Sequence, residues 1–300
     1  MRYSIVLALI AAIMCMAAAA RPTTYKNELL LNDKRYRHKP VVKSPLPHTY
    51  LQGRDLPKVF DWRNVGGVNY VSRTLNQHVP VYCGSCWAHG TASSVVDRLK
   101  IQRKNAYPDI SVAIQDVLNC GRLSAGSCHG GTSEGMFQYM FEKGLPIESC
   151  APYEATDGEC NAIRRCGDCS GPPGESHCWA LKNYTTVWVE EFGYTEGVDA
   201  IKAEIFARGP VSAGINAYPL LNLTRPEPYV VSNCAEEDKY INHVVEILGW
   251  DHSEEYESDV WIVRNSWGEN SGDRGVFRVL MGNDCMGIES YIWWAIPKLG

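Results

Sequence analysis

No face predicted by the sequence periodicity carries a cluster of Lys or Arg, and the chain's net charge is −5. Nucleic acid and anionic membrane surfaces are therefore poor partners. After residue 20 no apolar run approaches the ~20 residues of a membrane-spanning helix. There is no internal repeat. No cysteine lies between Ala20 and Cys83. Cys166-x-x-Cys169 looks like half a zinc ribbon, but no second pair at ligand spacing accompanies it, and the Gly/Pro-rich surroundings favour disulfides. No metal and no cofactor are expected.

What is present is ordinary globular material: 300 residues, 45% hydrophobic and 21% charged, enough for one large domain or two small ones packed together. Arg2, the apolar run Ile5 to Ala20 and the small residues Ala18 and Ala20 have the layout of a secretory signal peptide over residues 1–20. Export implies an oxidising environment, a lysosomal or secreted destination, and use of the sequons at Asn183 and Asn222. Residues 21–55 are basic and Pro-rich with little apolar periodicity, and are expected to be a short pro-segment or extended arm. Residues 56–300, opening on Leu56-Pro-Lys-Val-Phe-Asp-Trp62, are expected to form the folded domain.

Twelve cysteines are present, and removing Cys15 with the signal leaves the odd number eleven. Five disulfides would leave one thiol, which in an exported chain is an intermolecular link or a reactive group. Cys83-Gly-Ser-Cys86 could be a redox pair, half a metal site, or two structural cysteines. Small and apolar residues at Ala88, Ala92, Val95, Val96 and Leu99, however, mark a buried helix face that begins at Cys86. A thiol at a helix N-terminus is pushed toward thiolate, which suits a nucleophile.

Helical patterns continue from Ser111 to Leu118, from Ser133 to Met140 with a stop at Gly144, and from Val198 to Ala207. Residues 150–178 are dense in Cys, Gly and Pro and read as stapled loops. Strand patterns then cover Val211 to Ile215, His243 to Trp250, Val260 to Val263, Gly275 to Leu280 and Ser290 to Ile296. The fold class is α+β, with a helical half carrying the thiol, a β half, and a cleft between them as the default place for chemistry. His243 opens an apolar strand, where a titratable ring is costly without a partner. Asn265 ends the next strand.

Five motifs in order, Asn76-Gln77, Cys83-Gly-Ser-Cys86-Trp87, Cys128-His-Gly-Gly131, Asn242-His243 and Asn265-Ser-Trp-Gly268, make Leu56 to Gly300 resemble the papain-like cysteine peptidases. The resemblance implies a two-lobed fold, with a helical N-terminal lobe and a β-barrel-like C-terminal lobe. It implies that Cys86 attacks as a thiolate paired with imidazolium His243, that Asn265 orients His243, and that Gln77 with the Cys86 N–H forms an oxyanion hole. Trp267 would shield the Asn265 contact, and Gly131 would offer backbone to an extended peptide. No nucleic acid and no membrane span are expected among its partners.

Where other members read Gln-x-x-Cys-Gly-Ser-Cys, this chain carries three more residues, His78-Val79-Pro80. That loop resembles the cathepsin X-like (cathepsin Z) carboxypeptidase branch, which implies that His78 and Tyr82 contact a substrate with a free C-terminus. The alternatives are an endopeptidase or dipeptidase with an incidental loop, and a non-catalytic binding relative. The resemblance also implies the disulfides Cys83–Cys128, Cys120–Cys160, Cys150–Cys166 and Cys169–Cys178. It further implies Cys234–Cys285, at positions matching cathepsin L-like members. Pro-segments of the branch carry a cysteine able to bond the nucleophile, but the matching place here is Arg35-Tyr36-Arg37, so covalent self-blocking is not expected.

Overall fold

The computed structural model describes residues 25–221 and 229–300. The expected signal peptide and the Asn222 sequon lie outside the described residues. The helices are α1 (Cys86–Gln102), α2 (Ile114–Cys120), α3 (Ser133–Lys143), α4 (Ala162–Arg165) and α5 (Val198–Arg208). The main strands are β1 (Phe60–Asp61), β2 (Leu145–Pro146), β3 (Thr186–Thr195), β4 (Val211–Ile215) and β5 (Val230–Val231), followed by β6 (His243–Ser253), β7 (Ser258–Arg264), β8 (Val276–Leu280) and β9 (Ile292–Leu299).

These strands form one sheet in the order β2-β3-β9-β4-β6-β7-β8-β5, with β1 added to β6. Its pairings are antiparallel except β8 with β5. The sheet is open. Its edges are the two-residue strands β2 and β5, so the barrel-like half is not a closed barrel, and its short edges limit unwanted pairing. A buried cluster around Trp87, Val117, Met136, Phe137 and Phe192 fills the helical side. A second, around Trp250, Trp261, Phe277 and Trp294, fills the sheet side.

Helix α1 runs between the two clusters and is buried from Cys86 to Leu99. Close approach of β6 depends on Gly90, where an added Cβ would lie 3.0 Å from both Val244 Cγ1 and the Val245 carbonyl oxygen. Two buried ion pairs fix α1 to the sheet side. Asp97 accepts from Arg264 at 2.8 Å, and Arg98 donates to Glu204 at 3.0 Å while also serving the carbonyls of Gly209, Pro210 and Ala295. Helix α3 is capped by the Thr132 side chain and ended by Gly144 at φ 64°, a conformation glycine adopts without a Cβ penalty.

Residues 25–55 do not hang free. Leu29 and Tyr36 are buried, the former within the helical-side cluster. Val41 pairs with Phe192 of β3, and the Lys43 and Ser44 amides donate to the Glu191 carboxylate. The arm thus lies along the molecule from the cleft to β3.

Candidate active site

Cys86 is the first residue of α1 and is fully buried; among the described residues it is the free cysteine. The other ten form the bonds Cys83–Cys128, Cys120–Cys160, Cys150–Cys166, Cys169–Cys178 and Cys234–Cys285. The Ser85 side chain, at the helix N-cap position, lies within hydrogen-bonding distance of buried His89 and of Tyr153. His243 begins β6, and the antiparallel pairing of β6 with β7 brings Asn265, just past Arg264, to the same end. His243 Nε2 lies 2.8 Å from Asn265 Oδ1, which also accepts the Ser266 amide. Because that oxygen accepts, the ring nitrogen facing it carries a hydrogen, and Nδ1 faces Cys86.

Trp267 packs 5.1 Å from the His243 ring, centroid to centroid. Gln77 is fixed at several points. Its amide N–H donates to the Ser266 carbonyl, its Oε1 accepts the Ser266 hydroxyl at 2.7 Å, and its own carbonyl accepts the Tyr153 hydroxyl. This leaves Nε2 facing the centre. Gly131 has no room for a side chain, since a Cβ there would lie 2.4 Å from the Ala125 carbonyl oxygen and 2.6 Å from the Trp87 ring.

The group that occupies this centre is Glu28. Glu28 N donates to the Asn242 carbonyl, Gly131 N donates to the Glu28 carbonyl, and Leu30 N donates to the Gly131 carbonyl, so the arm crosses the cleft as a strand. The Glu28 carboxylate accepts from Tyr25 at 2.7 Å, Gln77 Nε2 at 2.9 Å and Tyr82, and lies 3.9 Å from His243 Nδ1. Burial pushes its carboxyl pKa up, but bonding to and the charge of His243, with the Tyr82 and Tyr25 hydroxyls, overcome this and hold it at about 2. Arg35 stays at the surface, paired with Asp33. The arm residue that reaches the nucleophile is Glu28.

This changes the expected state of the thiol. Burial and the neighbouring Glu28 charge push the Cys86 pKa well above its ordinary value. The chain with its arm in place therefore holds a neutral thiol rather than the expected thiolate-imidazolium pair. The helix N-terminus is present, but a carboxylate at contact distance in a dry site outweighs it. Glu28, Cys86 and His243 each place one potential ligand atom so that all three lie within 4.8 Å of one another.

His78 and Tyr82 stack with centroids 4.6 Å apart and planes 8° from parallel, at one end of the centre. Burial lowers the His78 pKa, and its Nδ1 is buried without a partner. Asn183 is exposed. A cavity of about 370 Å³ lies elsewhere, lined by Asn76, His89, Ala92 and Tyr153 but not by Cys86 or His243. The cleft over Cys86 is filled by the arm. Sequence reasoning missed Glu28, Tyr25, Ser266 and Tyr153; only Ser266, adjacent to Asn265, lay inside a recognised motif.

Residues 56–296 match the sequence model described as papain family cysteine protease. The chain belongs to the papain family. Within that family it is 40% identical to a cathepsin Z of Onchocerca volvulus over 82% of this chain and 77% of the relative. It is 32% identical to a gut-specific cysteine proteinase of Caenorhabditis elegans, over 70% of this chain and 65% of the relative. Among solved structures it resembles digestive procathepsin L2 proteinase from Tenebrio molitor larval midgut, at TM-score 0.63 and 25% identity, covering 87% of this chain and 78% of that one. A structure from work on the mite allergens Blo t 1 and Der p 1 gives TM-score 0.66 and 26% identity, covering 85% and 74%. The chain is a papain-family cysteine peptidase of cathepsin X-like type, with the two-lobed α+β fold. Among the described residues no helix is long and apolar enough to cross a membrane.

Proposed function

We propose that this chain is the latent form of a cysteine carboxypeptidase. Residues 1–20 direct export, 21–55 form a non-covalent pro-segment, and the peptidase domain starts near Leu56. With the arm removed, Cys86 loses the carboxylate that keeps it protonated, and transfer of its proton to His243 Nδ1 gives the attacking thiolate. Asn265 then holds the imidazolium through Nε2. Gln77 Nε2, now donating to Glu28, turns to the oxyanion of the tetrahedral intermediate together with the Cys86 amide. Export makes lysosome or extracellular space its destination, with sugar at exposed Asn183.

The observation that carries the carboxypeptidase reading is that Tyr82, stacked on His78, already holds a carboxylate beside Cys86, that of Glu28. A substrate's C-terminal carboxylate, one residue beyond the scissile bond, would meet the same hydroxyl and the buried, unpartnered His78 Nδ1. The loop also walls that side of the cleft, which limits release to one residue per event. The test is hydrolysis of matched free-acid and C-terminally amidated peptides by the arm-free enzyme, read by mass spectrometry. Stepwise loss of single C-terminal residues from the free acids alone is expected. Equal cleavage of both sets, or internal cuts, would return the chain to an endopeptidase role.

A further inference from the structure

A thiol, an imidazole and a carboxylate, each at most 1% exposed, converge so that one potential ligand atom of each lies within 4.8 Å of the other two. We propose that the intact chain binds one zinc ion between Glu28 Oε2, Cys86 Sγ and His243 Nδ1, and that this ion clamps the arm shut.

Sulfur, nitrogen and oxygen donors in one buried trio suit a borderline-soft, tetrahedral cation far better than calcium or magnesium. At zinc bond lengths of about 2.0–2.3 Å the ligand atoms of a tetrahedron stand about 3.5 Å apart. Nδ1 and Oε2 are 3.9 Å apart and no pair of the trio exceeds 4.8 Å. Small side-chain movements close the shell, and the Tyr25 hydroxyl or a water takes the fourth position.

The partners behind these ligands are in place as well. Zinc-binding histidines donate their other ring N–H to an oxygen, which fixes the tautomer. His243 does so toward Asn265 Oδ1. Glu28 is aimed by Gln77 and Tyr82. Tyr25 stands 2.7 Å from both Glu28 Oε2 and His243 Nδ1, yet its hydroxyl has one hydrogen, which goes to Glu28. A cation would take the Nδ1 lone pair, displacing any proton held there. On binding, the thiol proton leaves to solvent and the sulfur coordinates as thiolate.

The site stands on this geometry alone; its regulatory meaning rests on residues 21–55 being a pro-segment. Two of the three ligands belong to the domain and one to the arm, so the ion would cross-link arm to domain until acid reprotonates the ligands.

The test uses the full chain, made metal-free and titrated with Zn²⁺ by calorimetry and with Co²⁺ by absorption. Expected are one ion per chain, proton release, and a thiolate-to-cobalt charge-transfer band. Glu28→Gln should weaken binding by about 100-fold, at or above the loss usual for an outer partner of a zinc ligand. Glu28→His, which restores a ligand without the carboxylate, should recover most of it. Cys86→Ser should abolish the band. Absence of stoichiometric binding, or Glu28→Gln binding as tightly as the native chain, overturns the site. A Glu28→His chain that stays as weak as Glu28→Gln does so too. Peptidase activity of the metal-free, arm-free enzyme is measured separately, so an inactive enzyme that binds zinc condemns the functional reading and leaves the site standing.

Discussion

The Ser266 hydroxyl donates to Gln77 Oε1 at 2.7 Å and, together with the Cys83 carbonyl that accepts from Gln77 Nε2 at 3.1 Å, decides which end of that amide faces Cys86. An amide rotated by half a turn would aim an oxygen at the developing oxyanion, so a residue that touches no substrate sets the polarity of the hole. Ser266→Ala should lower kcat of the arm-free enzyme about 10-fold, below the roughly 10²–10³-fold expected for removing the Gln77 donor itself. KM and melting temperature should barely move. Unchanged kcat, or equal losses in kcat and stability, would show that the amide is oriented by something else.

Thiol reactivity should depend on the arm. With a chelator present, the intact chain is expected to alkylate slowly, with an ionisation above the ordinary thiol value, because Glu28 and burial disfavour the thiolate. Glu28→Gln or arm removal should shift that ionisation down. Iodoacetamide rates against pH, followed on the Cys86 peptide, check this. A profile indifferent to Glu28 would mean that carboxylate does not govern the thiol.

Acid opens this arm only under harsh conditions. The Glu28 carboxyl is held near 2 against an ordinary 4.5, so the closed form binds fewer protons than the open one. The sign follows from linkage: its stabilisation is complete above pH about 4.5 and drains away as pH falls toward 2, for a total of about 3 kcal/mol. In chelated buffer at pH 5 without protease, activity should therefore stay low, while Glu28→Gln should activate there. Prompt self-opening of the native chain at pH 5 would count against Glu28 as the principal hold.

Recognition through His78 predicts the opposite slope once the arm is gone. Burial lowers its pKa from 6.5, so the charged ring persists only below that value. Turnover of free-acid peptides should decline as pH rises through a midpoint under 6.5, with KM carrying much of the change. His78→Ala should flatten this profile while Cys86 labelling continues.

The buried Arg98–Glu204 pair supports α1 from behind. Arg98→Met leaves Glu204 with only Arg208, 3.8 Å away, and three carbonyls without a donor, and should cost about 3 kcal/mol. Chemical denaturation measures it. A loss below about 1 kcal/mol would show that solvent reaches the site.

Much of the domain was legible because its residues carry local signals. The α1 face, the Gly144 stop, and the β4 strand from Val211 to Ile215 follow from periodicity and breakers within a single segment. The β3 strand was missed although it packs between β2 and β9. It follows a Cys-rich stretch whose composition reads as loop, and its Phe192-Gly-Tyr stretch interrupts simple alternation. The Cys-rich stretch itself holds a short ladder, Gly167–Ser170 with His177–Ala180. Cys86, His243, Asn265 and Gln77 stood out by type and motif. Glu28 did not, because a single glutamate in a basic, aperiodic segment has no local pattern; its meaning lies in contacts across 49 to 215 positions of chain. The neutral thiol was illegible for the same reason.

Leu29, next to Glu28, is buried in the same cluster as Trp87 and Phe137. While the chain is continuous, the arm is held at the high effective concentration of any tethered ligand, on the order of millimolar for a short linker. A single cut between Leu29 and Leu56 makes it a separate molecule whose occupancy depends on dilution, and its departure wets the apolar seat of Leu29. The transition is thus a ratchet: dilution drives it forward, and nothing in the cut protein restores the lost tether.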